Sequence, residues 1–201
     1  MSHPFRHFAL VARHRYHVRK NARHLGIYFL SLRHDLSKYG PKEFWPSAHC
    51  YAGNHSPVYE ERLHSEGRFS WITLYHVKHN PHHWEYWVEF CRGDILAKAM
   101  PWKYAMEYVA DVLSASYTYD PKAFTPASAY DYFLRYHNRY FLAQATDTFL
   151  QWCFATYRDI GWSGLKPRLT KAKYQQFLSL YGSVSSFSTI HSDSALSPIQ
   201  K

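Results

Sequence analysis

"RHDLSKYGPKEF", residues 33–44, sets His34 beside Asp35 and follows them with Lys38, a Gly40-Pro41 turn and Glu43. Together with the apolar residues just upstream, "IYFLSLRHDL" (27–36) reads as one short helix, apolar on nearly every side and therefore buried. An imidazole and a carboxylate inside such a helix need partners, because a buried polar group left unpaired is costly. Neighbouring helical residues point about 100° apart, so the two reach a common ion only if it sits close against the helix. An interhelical hydrogen bond or a C-terminal cap would serve the pair equally well. The rest of the chain decides between these readings.

Upstream, Phe8, Val11, Ala12, Arg15, Val18 and Ala22 recur at helical steps over 5–25, and Gly26 marks the stop. Pro41 opens a helix through Phe44 and Ala48, with Glu43 in its first turn, where a carboxylate also suits the helix dipole. The polar stretch 53–67 reads as a surface loop, and a helix follows over 68–80. Asn80-Pro81 breaks that helix, and Pro81 begins another, "PHHWEYWVEF". Pro101 opens "PWKYAMEYVADVLSASY", whose stripe of Trp102, Ala105, Met106, Val109 and Leu113 leaves Asp111 just to one side. Two further amphipathic segments, 127–157 and 170–180, are separated by "GWSGLKPR". No segment alternates as a strand does, so the expected fold class is all-α. Residues 1–182 form one domain, and the Ser-rich 183–201 form a disordered tail.

The chain has 201 residues, 19% of them aromatic, with 15 His and a formal net charge of +9. Scattered histidines in this number point to a metal site, to a polar helical interior, or to both. The positive charge favours phosphate-bearing partners such as nucleotides, nucleic acid or an anionic membrane face. Much of it lies early, since no Asp or Glu precedes Asp35. That pattern fits a basic, solvated helix face; an organelle presequence is the alternative, and it would remove His14. Cys50, Cys91 and Cys153 make no disulfide framework, which suits a reducing compartment. No apolar run has membrane-spanning length. The expectation is a soluble, cytoplasmic protein.

A lone His precedes the His34-Asp35 pair by one helix, at His14, and a carboxylate, Asp111, sits in a later apolar helix. In that order, with "HDLSK" around the pair, the chain resembles the HD-domain metal-dependent phosphohydrolases. The likeness covers about residues 10–118. It implies an HD-like helical bundle, here with extra C-terminal helices, in which His14, His34, Asp35 and Asp111 ligate metal. It also implies that Lys38 contacts substrate phosphate and that Asp35 both ligates and accepts a proton from the attacking water. "RHRYHV", "HDLSKYGPKEF", "NPHHWEYW" and "MPWKYAMEYVAD" look more narrowly like a small bacterial and phage group of HD-like proteins. His17 competes with His14 for the first place, and that likeness favours His14.

A second cluster, "YHVKHNPHHW", brings His76, His79, His82 and His83 to one bend. By the same resemblance His76, His82 and His83 would hold a second ion, bridged to the first by Asp35, with His79 dispensable. The lone His stands closer to the His-His pair than in those proteins. The other reading is a polar elbow in which these rings bond carbonyls and solvent. His83, flanked by Trp84 and Trp87, is the one expected to be the more buried. Glu43 is expected to orient a ligand or the attacking water, or simply to suit the helix dipole, and Glu107, one turn before Asp111, to support a ligand or merely to be exposed. Trp45, Trp71, Trp84, Trp87 and Trp102 read mostly as core.

The function expected is hydrolysis of a phosphate ester, a nucleotide or deoxynucleotide first, with one or two divalent ions (Mn, Fe, Co, Mg or Zn) as cofactor. The same ligand pattern would also suit an HD-fold di-iron oxygenase. A basic nucleic-acid-binding protein without catalysis is the third reading, marked by steep salt dependence.

Overall fold

A computed structural model describes residues 3–53 and 55–188. Helix α1 (Pro4–His24) begins with proline in its first turn and buries His7, Leu10, Val11, His14, Val18 and Ala22 along one stripe. That stripe lies mainly against α6 (Trp102–Tyr119), which is buried almost all round at Ala105–Ala110 and Val112–Ser114. The α1/α6 pair is the axis of the molecule. Val18 and Ala22 join the apolar core, while His7 and His14, three turns and one turn before Val18 on the same stripe, line a polar cavity.

Around the axis run α2 (Tyr28–Ser31), α3 (Pro41–His49), α4 (Pro57–His64) and α5 (Trp71–His79) on one side. On the other side are α7 (Ser128–Tyr136), α8 (Gln144–Arg168) and α9 (Lys171–Tyr181). Phe133, Phe149 and Phe154 are fully buried between α7, α8 and α6. Burying each such ring contributes roughly 1.5–3 kcal/mol. The fold is predominantly helical, as expected. Among the described residues, no helix is long and apolar enough to cross a membrane.

Five expectations are corrected. "IYFLSLRHDL" is not one helix: α2 stops at Ser31, the chain turns, and Phe29 is 83% exposed. The polar loop at 53–67 contains α4, whose N-cap Ser56 accepts from the Val58 N–H. "PHHWEYWVEF" makes a turn and a 3-10 segment, Trp84–Trp87, then strand β1 (Val88–Cys91). Arg92 and Gly93 both take positive φ, 53° and 89°, and close a two-residue hairpin to β2 (Asp94–Lys98). The Ser-rich segment after Gly182 forms β3 (Val184–Ser188) on the free edge of β2, with Ile95 opposite Phe187. The domain therefore extends past 182, and the tail expected beyond it falls, from 189 on, outside the described residues. Finally, Trp45 and Trp71 are 51% and 70% exposed rather than core. "GWSGLKPR" does mark a break, but as a bend at Gly161 (φ 60°, ψ −162°) within α8.

Candidate metal centre

The centre is built on the turn that replaces the expected helix. Asp35 adopts left-handed backbone (φ 53°, ψ 27°) and starts the 3-10 segment Leu36–Tyr39. A non-glycine residue there costs about 1–2 kcal/mol, so the surroundings must hold it. Arg15 of α1 does so, donating from Nε to the His34 carbonyl (2.9 Å) and from Nη2 to the Leu32 carbonyl (2.7 Å). Freed from helical geometry, the two neighbours converge. His34 Nε2 lies 3.4 Å and Asp35 Oδ2 3.6 Å from the same atom, His14 Nε2.

Asp35 divides two ligand sets. Its Oδ2 faces His14 and His34, at 3.6 and 3.4 Å, and Asp111 Oδ1 completes that group at 3.0 Å from His14 Nε2 and 3.6 Å from His34 Nε2. Its Oδ1 faces His76 Nε2 and His82 Nε2, at 3.3 and 3.6 Å, and His83 belongs to the same group. All seven side chains singled out from the sequence as ligands are thus brought together. His14 is the first of them; His17 instead packs on the Tyr117 ring away from the centre. His79 turns out, its Nδ1 on the Tyr75 carbonyl (2.7 Å). Of the His-His pair, His82 is the more buried at 1%, the reverse of the expectation.

Behind the ligands stand two buried carboxylates. Glu107 Oε1 lies 3.0 Å from His34 Nδ1 and 3.6 Å from His82 Nδ1, and Glu43 Oε1 lies 2.7 Å from His76 Nδ1. At His34 the Glu107 carboxylate accepts from Nδ1–H, keeping a proton on that nitrogen and turning Nε2 inward. Asn80, just ahead of the bend, bonds Ser37 Oγ (2.8 Å) and the His76 carbonyl (2.8 Å), tying α5 to the Asp35 turn. Lys38 Nζ is 2.6 Å from Asp35 Oδ2.

The charges are strongly coupled. Burial pushes the His14, His82 and His83 imidazoles down, His83 to about 3, although nearby carboxylates pull the other way. His34 moves oppositely. Burial opposes its charge, yet Asp35, Asp111 and Glu107 outweigh it and push the imidazole up to about 10. Burial also opposes the Asp35 and Asp111 charges, but the imidazoles, with Lys38 beside Asp35, hold both well below the usual carboxylate range. Lys38 is raised because Asp35 more than offsets its burial.

The donor set fits divalent ions. Two ligands each about 2.0–2.2 Å from one ion, at tetrahedral or octahedral angles, stand roughly 3.0–3.6 Å apart, which is the spread of most separations above. Asp35 Oδ1 and His82 Nε2 are shut from water without a hydrogen-bond partner, as atoms awaiting a cation would be, while Oδ2 faces the Lys38 ammonium. Mixed imidazole and carboxylate donors suit Mn, Fe, Co or Zn better than Mg.

The centre opens into a cavity of about 310 Å³, walled by His7, Lys38 and Arg62 and, farther along the chain, by Glu85, Tyr132 and Tyr140. Of these only Lys38 had been singled out. His7 had a signal, since it lies seven residues before His14 on the same helical stripe.

A family model described as "Family of unknown function (DUF5662)" matches residues 3–155. The chain belongs to that family. No curated protein and no solved structure matches it. The span shared with DUF5662 contains both ligand sets, Glu43, Glu107 and Lys38, and ends within α8.

Proposed function

We propose that this DUF5662 protein is a metal-dependent phosphohydrolase with an HD-like centre. The observation that carries the reading is Asp35, one carboxylate shared by two ligand sets and paired with Lys38, which lines a small cavity. His14, His34, Asp35 and Asp111 would hold one ion; His76, His82 and His83 would hold a second with Asp35. Such ions lower the pKa of a bound water toward neutrality and offset charge on a phosphoryl group.

The chain's own residues do the rest. Glu107 orients His34 through its Nδ1 and turns Nε2 inward, and Glu43 sets a negative charge beside His76. Lys38, lining the cavity, takes an anionic phosphoryl oxygen in a charge-assisted bond. Asp35 accepts the proton released by the attacking water. At about 310 Å³ the cavity lies at the lower end of small-molecule sites, which favours a mononucleotide-sized ester over a nucleic-acid strand. The two-set geometry is also what an oxygen-activating di-iron protein would need, which gives a second reading.

The test is metal analysis of protein purified without chelator, followed by a screen of phosphorylated metabolites with added Mn, Co or Mg. Hydrolysis that disappears with the metal in the His34→Ala/Asp35→Ala double variant is expected. Full metal content in that variant would remove the assignment, and two irons with an absorption band under air and no hydrolysis would favour the oxygenase.

A further inference from the structure

The cavity holds a further acid that no ligand group uses. Glu85 lines it, lies outside every ligand group, and has its Oε2 shut from water with no hydrogen-bond partner. A carboxylate oxygen can only accept, so a buried one without a partner calls for a donor from elsewhere. Arg62 does not supply it: the guanidinium lines the same cavity but bonds Thr73 Oγ1 (3.5 Å), and no ion pair joins it to Glu85. Around Glu85 the walls are aromatic. Trp84 stacks on Tyr140 at 5.3 Å and 25°, and Tyr132 and Tyr108 line the same cavity, as do His76 and Arg62.

One acid among aromatic rings is a site for a nitrogen donor. The rings accept a planar base by stacking or an ammonium on their faces, and the carboxylate takes the N–H. The geometry points to Glu85 as the specificity residue of this cavity, selecting phosphate esters whose non-reacting end presents an N–H group. This rests on the cavity's being the substrate site proposed above. Two sources share the chemistry: the amino group of a nucleobase and the ammonium of an aminoalkyl phosphate.

The experiment uses the metal-loaded full chain and pairs of compounds that differ only in the donor. Adenosine 5′-phosphate is compared with purine riboside 5′-phosphate, and phosphoethanolamine with ethyl phosphate. Turnover and calorimetric binding are both read, for wild type, Glu85→Gln and Glu85→Leu. In wild type the N–H member of one pair is expected to be favoured roughly tenfold or more. Glu85→Leu removes the acceptor and should erase the preference for either source. Glu85→Gln keeps a neutral acceptor, so a preference that survives it marks the nucleobase, and one that collapses marks the ammonium. Preference in binding without hydrolysis of any ester would retain the Glu85 site and discard the phosphohydrolase. Equal binding and turnover within both pairs in wild type would overturn the inference without recourse to any variant.

Discussion

His7 is 3% exposed and neither of its ring nitrogens has a partner, an arrangement that is costly in the free protein. Its ring packs on Phe44 at 5.3 Å, so Phe in its place keeps the apolar contact and drops the unpaired nitrogens. Burial, with Lys38 nearby, pushes this imidazole from 6.5 down to about 4. Below pH 6.5 the unfolded chain therefore binds a proton that the folded chain refuses, and stability falls with pH. We predict that His7→Phe melts no lower than wild type at pH 7.5 and gains roughly 1 kcal/mol on it at pH 5; equal losses at both pH values would contradict this. His34 carries the opposite sign. In the metal-free protein its imidazole stays charged from 6.5 up to about 10, so its contribution is full below 6.5 and is lost as pH rises through 10. A metal must displace that proton. Uptake at pH 7.5 should release roughly one proton from His34 and none from His14 or His82, which are already neutral. Calorimetry in buffers of differing ionisation heat measures this, and binding heats independent of the buffer would refute it.

Helices α1 and α6 were legible from a periodic apolar stripe, and α3 and α5 mainly from the Gly40-Pro41 and Asn80-Pro81 breaks at their limits. The ligand residues were legible through the order His, His-Asp, Asp and its likeness to the HD-domain pattern; those helices carry His14, His76 and Asp111, and the turn between α2 and α3 carries His34 and Asp35. What the residues alone did not disclose was backbone that breaks the local rule. Asp35 in left-handed conformation is stabilised by Arg15, nineteen positions before the His34 carbonyl that it clamps, and no local window contains that bond. The hairpin was missed because β1 and β2 are short and the signal lay in the Arg92-Gly93 corner rather than in alternation. Strand β3 is mostly serine and is fixed by its pairing with β2, by Phe187 against Phe141, and by Ser185 Oγ accepting from the Gln144 N–H (2.9 Å). The bend in α8 gives a prediction at this scale. Gly161 holds φ 60° and ψ −162°, a region open to glycine, and a Cβ there would meet no atom within 4 Å. Gly161→Ala should thus lose about 1–3 kcal/mol through backbone strain alone, read as a lower urea midpoint with unchanged slope; a variant as stable as wild type would show that α8 straightens freely.

Across the whole molecule, the centre joins α1, α3 and α5 to α6, and its stability is linked to what it holds. Five imidazoles and the carboxylates Asp35, Asp111, Glu43 and Glu107 crowd one buried volume, so any ion bound only by the folded chain adds RT ln(1 + [L]/Kd) to stability. Chelation is expected to lower the melting temperature by at least ~5 °C, and Lys38→Ala to leave most of the metal-dependent increment in place. A melting curve indifferent to chelator would mean that the cluster holds no ion. The placement of Asp111 and Glu107 has a further consequence. Every other member of the centre lies before residue 84, whereas these two arrive on α6, the helix that also completes the core against α1. During synthesis the histidines emerge first and stay without their last partners until the chain has passed residue 119 and α6 has docked. Loading of the first ligand set is then a late event, governed by closure of the α1/α6 axis, because a nascent chain halted at the hairpin would offer His14, His34 and Asp35 without the Asp111 that completes them.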